Sequence, residues 1–213
     1  MNSEKKQSFE KELPAGYRQA KYINAKNAKF GIIFNLIALI VLAIVVIAAF
    51  ALLKVGGRTV DDILDVSLLE LIIAYVLFFG VMIGYVVLHE LVHGIAYKSL
   101  TGEKLTFGMS WSCAFCGVPH IYTYRRTAII AVVSPFAVFS ILFLAVLIPL
   151  YFISPLYFLI FAFNFGLHLG GCSGDIYVLL LFMTKFKDKK TLMRDTGPEQ
   201  YFYVPEKALE DMA

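Results

Sequence analysis

His89-Glu90-Leu91-Val92-His93, near the end of an apolar run that begins around Val66, decides how the rest of this 213-residue chain is read. On a helix, an H-E-x-x-H sets two imidazoles on one face a single turn apart, which is the spacing a tetrahedral zinc ion accepts from one helix. At about 100° per residue, His89 and His93 differ by roughly 40°, while Glu90 is turned about 100° from His89. Glu90 is therefore expected as a neighbour of the ion and not as a ligand, placed to take a proton from water and pass it to a leaving amine.

The surroundings of the motif are unusual for such chemistry. Apolar residues make up 59% of the chain and charged residues 16%, against about a quarter charged in soluble domains, so an all-α integral membrane protein is predicted. Four spans follow from the long apolar runs, at about 30–53, 67–97, 127–153 and 155–183; the first is long enough to cross a hydrocarbon core of about 30 Å. They form one membrane domain, 30–183, between a Lys-rich N-terminal tail, 1–29, and a basic C-terminal tail, 184–213. Between spans two and three, Lys104-Leu-Thr-Phe-Gly-Met-Ser-Trp111 alternates like a strand and predicts a short strand or hairpin insert. Ser154-Pro155 reads as an N-cap with proline at the first helical position. Tyr201-Phe202-Tyr203 reads as a strand or an interfacial segment.

Of the nineteen Lys and Arg residues, seven precede Phe30, six follow Met183 and four fall between Lys98 and Arg126. By the positive-inside rule this predicts a multi-pass protein of the cell membrane with both termini and the 98–126 connection cytoplasmic. The lipid bilayer is its partner; without an interleaved recognition motif, nucleic acid is not. Cys113, Cys116 and Cys172 make no disulfide framework.

Ionisable groups inside the spans are costly and point to function. Spans two and four carry them; spans one and three have none. Counted from the cytoplasmic ends at about 1.5 Å per residue, His89, His93 and Asp175 lie at depths of roughly 12, 6 and 12 Å, one layer. Two imidazoles and one carboxylate around a single zinc ion leave the fourth position for water. His168, two turns before Asp175, is the alternative third ligand, and Asn164 an orienting amide or an interhelical hydrogen-bonding group. The glycines in Gly170-Gly-Cys-Ser-Gly-Asp175 predict a segment that unwinds or permits close helix approach. Cys113-x-x-Cys116 with His120 reads as loop packing before it reads as a second zinc site.

With these residues in view, the chain resembles the putative zincin peptidases, small bacterial membrane proteins. The resemblance rests on His89-Glu-Leu-Val-His93, the strand-forming insert, Arg125-Arg126-Thr127 to Ser134-Pro135, and Gly-Cys-Ser-Gly-Asp175. More distantly, the layout looks like the site-2 intramembrane metalloproteases. The likeness implies zinc ligands at His89, His93 and Asp175, a catalytic base at Glu90, and hydrolysis of peptide bonds in a membrane protein or peptide. The rivals are a catalytically silent zinc protein that binds a membrane partner, and a metal transporter. A single ligand cluster, with no polar track through spans one and three, speaks against transport.

Overall fold

The computed structural model describes residues 7–109 and 114–210. Three helices are long and apolar enough to cross a membrane: α1 (Ala28–Val55), α3 (Leu68–Thr101) and α4 (Arg125–Ile153). A fourth is added if α5 (Pro155–Gly171) and α6 (Ser173–Thr184) count as one broken span. The break falls at Cys172, inside the glycine-rich segment, where the backbone N–H of Cys172 still reaches the His168 carbonyl at 3.1 Å. A four-residue helix, α2 (Asp61–Leu64), lies in the connection between α1 and α3.

An all-α chain with one hairpin insert understates the architecture. A five-stranded antiparallel sheet is also present, built from β1 (Phe9–Glu10), β2 (Tyr17–Asn24), β5 (Tyr122–Tyr124), β6 (Leu192–Asp195) and β7 (Glu199–Pro205), in the order β1-β5-β6-β7-β2. Its strands come from the N-terminal segment, the connection after α3 and the C-terminal segment. β3 (Thr106–Met109) and β4 (Ala114–Gly117) form a separate two-stranded hairpin between α3 and α4. Ser110 and Trp111, the end of the expected strand, lie outside the described residues. A short helix, α7 (Glu206–Glu210), follows β7.

The chain divides into two compact units. The first, residues 1–31, 90–135 and 174–213, holds the sheet, the last third of α3, the start of α4 and α6. Its core joins Met193, Phe202 and Val204 of the sheet to Ala128 and Val132 of α4 and Val178 and Phe182 of α6, with Phe186 stacked on Phe202 at 4.9 Å. A second cluster packs Tyr97 against Val118, Ile121 and Ala131.

The other unit, residues 32–89 and 136–173, is helical. Ala49, Leu53, Leu147, Phe158 and Ala162 form its core. Gly170 lets α1 and α5 meet backbone to backbone, since a Cβ there would lie 2.8 Å from the Cα and carbonyl oxygen of Ala38. Such contacts between small residues replace the hydrophobic driving force that lipid removes. Ser154 caps α5 by accepting from the Tyr157 N–H, with Pro155 next in line.

Candidate metal centre

Helix α3 is exposed along most of its length, yet Tyr85, His89, His93 and Tyr97 are buried. These four follow one another at four-residue steps, so they wind as one stripe along the helix. Gly94 beside His93 admits the tip of Phe107 from β3: a Cβ there would meet the ring at 2.7 Å.

His93 is oriented by α4. Its Nδ1 lies 2.9 Å from the carbonyl oxygen of Ala131, an arrangement that puts the proton on Nδ1 and turns Nε2 towards α6. There, His93 Nε2 stands 3.5 Å from Asp175 Oδ2. That separation is long for a good N–H···O bond, whose usual range ends near about 3.2 Å. It matches two ligands of one tetrahedral ion, which at bond lengths of about 2.1 Å lie roughly 3.4 Å apart.

Asp175 sits in the first turn of α6, where the exposed N–H groups favour a carboxylate. The other end of α6 is tied to the start of α4. Arg125 donates from Nε to the carbonyls of Phe182 and Phe186 at 3.2 and 3.1 Å, and from Nη2 to Phe182 at 3.0 Å. The helix that orients His93 is thereby fastened to the helix that carries Asp175.

His89 is placed against His93 by α3 itself, which is unbroken here. Its Nδ1 lies 2.9 Å from the Tyr85 hydroxyl, leaving Nε2 as the ligating nitrogen. His89 precedes His93 by four residues on α3, so the two imidazoles share a face. The donor set, two imidazoles and a carboxylate, each imidazole held through Nδ1 by an oxygen, suits zinc. Glu90 is half-buried on the same turn.

His168, the alternative third ligand, belongs elsewhere: it groups with His89 and Cys172, and not with His93 and Asp175. The reason is the break at Cys172, which ends the straight helix on which His168 and Asp175 would have shared a face. Asn164 is buried in α5 and donates to the Ile160 carbonyl at 3.0 Å; its Oδ1 has no hydrogen-bond partner among the described residues. Cys113 lies outside the described residues, and His120 is exposed. Cys116 is buried, and burial pushes its thiol up to about 12, with the Asp195 and Glu90 carboxylates adding to the effect. A thiol so hard to ionise is a packing group and not a ready thiolate ligand.

Tyr85, which meets His89, and Ser140, whose Oγ lies 3.1 Å from His168 Nε2, were not singled out by the sequence. The available signal for Tyr85 was its position four residues before His89 on the same stripe. Ser140 carried none.

Long apolar helices, one of them bearing a His-Glu-x-x-His whose imidazoles are buried, with His93 beside a carboxylate from another helix, mark a membrane-type chain with a candidate zincin site. A family model described as "Putative zincin peptidase" matches residues 82–190, more than half of the chain, and the protein belongs to that family. The match spans Tyr85, His89, Glu90, His93, His168 and Asp175. No curated protein and no solved structure matches the chain.

Proposed function

We propose that this protein is a zinc metallopeptidase of the cell membrane that hydrolyses a peptide bond in a membrane-embedded or membrane-proximal protein or peptide. The observation that carries this reading is the His93–Asp175 separation of 3.5 Å, together with the His89 turn. His89, His93 and Asp175 would hold one zinc ion. Bound there, zinc supplies Lewis acidity, which brings water into nucleophilic range near neutral pH and polarises a carbonyl.

The residues of the chain do the rest. Glu90, off the ligand face of the turn, takes the proton of the attacking water and delivers it to the amine nitrogen as the peptide bond breaks. Ala131 holds the His93 imidazole in the tautomer a metal needs. The Phe107 contact at Gly94 brings the β3–β4 hairpin close to the motif, so a substrate segment reaching His93 passes that hairpin.

Four spans with both termini on the cytoplasmic side complete the reading. Strands from the N-terminal segment, from the connection after α3 and from the C-terminal segment hydrogen-bond in one sheet, which supports placing all three on the same face of the membrane.

Glu90→Gln separates an enzyme from a silent zinc binder. The amide preserves shape but cannot take a proton, so turnover falls by about 100-fold or more while zinc content stays that of wild type. Membrane-protein fragments compared between cells carrying the two forms read the turnover. Identical fragments in both would sink the peptidase reading.

A further inference from the structure

Four groups that the hydrolytic reading leaves over meet at one buried point of the helical unit. The Tyr85 hydroxyl lies 2.9 Å from His89 Nδ1, 3.1 Å from His168 Nδ1 and 4.0 Å from Cys172 Sγ. Cys172 Sγ is 3.7 Å from His168 Nδ1, and His168 Nε2 is 3.1 Å from Ser140 Oγ. His168 is wholly buried, and the rings of Phe136, Phe143 and Phe165 stack on it at 5.7 to 6.0 Å.

Two imidazoles and a thiol at this spacing have the chemistry of a second, softer metal site. The Tyr85 oxygen argues against one. It already stands at hydrogen-bonding distance from both imidazoles, and an ion there would have to come within about 2.0–2.3 Å of the same donor atoms. His168 also has its second nitrogen engaged by Ser140. The cluster is a hydrogen-bond hub around a hydroxyl.

Its polarity can be worked out from one end. If His89 offers Nε2 to an ion, its proton must sit on Nδ1, where it donates to the Tyr85 oxygen. The Tyr85 O–H is then left to donate to His168 Nδ1. His168 consequently keeps its own proton on Nε2 and donates to Ser140 Oγ. Each N–H and O–H from His89 Nδ1 to His168 Nε2 then meets an acceptor. With the chain reversed, the proton of His89 would sit on Nε2 and block the ligand position. In a buried aromatic surround, leaving any of these bonds unmade is costly, so the tautomers of His89 and His168 are coupled through the Tyr85 hydroxyl.

We propose that Tyr85 and His168 are positioning residues that hold His89 in its Nδ1–H form, and so keep Nε2 available as a metal ligand. This rests on the zinc-site reading. Neither residue touches the reacting atoms; both act through His89.

The test is zinc affinity of the full-length protein in detergent, measured by competition with a chelator. The absorption spectrum of the cobalt-loaded protein and thermal unfolding of the metal-free form accompany it. Tyr85→Phe keeps the ring and removes the hydroxyl; it is expected to weaken zinc by about 10- to 100-fold and to alter the cobalt spectrum. Should that variant not purify, His168→Leu interrupts the same chain one step further from the ion and is expected to weaken zinc in the same direction. Cys172→Ala, which removes the thiol and leaves the His89–Tyr85–His168 bonds in place, is expected to leave affinity and stoichiometry unchanged.

Wild-type affinity in Tyr85→Phe and His168→Leu, with only the unfolding of the metal-free form altered, would overturn the inference and leave the zinc site standing. Loss of a second ion on Cys172→Ala would overturn it in favour of a soft metal site. Absence of zinc from the wild type would overturn the zinc-site reading itself, and the inference with it.

Discussion

Tyr97 closes the buried stripe of α3 and donates its hydroxyl to Asp195 Oδ2 at 2.8 Å, while the Gly197 N–H donates to Oδ1 at 2.9 Å. Both bonds favour the carboxylate, yet burial outweighs them and raises Asp195 to about 6 from its ordinary 3.8. A carboxyl raised on folding adds stability that is fully present below its unfolded value and is lost as pH rises through the folded one. The sheet unit is therefore expected to gain on the order of 2 kcal/mol between pH 7.5 and pH 4 from this group alone. Asp195→Asn, which keeps an acceptor for Gly197, should flatten that part of the pH profile of thermal unfolding; an unchanged profile would refute the assignment. His89 and His93 were legible because two imidazoles one turn apart inside an apolar span cannot be put down to a solvated helix face. Tyr85 was not, since tyrosine is ordinary in a membrane helix and only its four-residue step from His89 distinguishes it.

At the scale of elements, Arg125 joins α4 to the last turn of α6, meeting carbonyls that the helix itself leaves unpaired. Arg125→Gln is expected to lower stability by about 1.5–3 kcal/mol, the range for bonds to a charged donor. It should also weaken zinc, because Asp175 rides on the freed helix. Thermal unfolding and zinc affinity measured together check both; a stability loss with unchanged affinity would contradict the coupling of α6 to the metal. The long helices were readable from their apolar runs, and the break at Cys172 from its glycines. The sheet was harder to read. β1 has two residues, β5 three and β6 four, and the partners of β5 and β6 lie some seventy positions apart in sequence, as in the pairing of Thr123 with Met193. No local alternation announces such pairing. β2, Tyr-Arg-Gln-Ala-Lys-Tyr-Ile-Asn, is polar enough to pass for a tail.

At the scale of the whole molecule, sequence and structure meet on one carboxylate. Depth counting put Asp175 in the layer of His89 and His93, with His168, two turns away on a straight fourth span, as the alternative. The break at Cys172 separates the two, leaving Asp175 3.5 Å from His93 and His168 in the hub around Tyr85. Everything proposed for the metal centre depends on that division of ligands. Metal analysis of the purified full-length protein, beside His93→Ala and Asp175→Ala, tests it most directly. About one zinc per chain in the wild type and its loss in both variants is the predicted result; equal zinc in all three proteins would contradict the account.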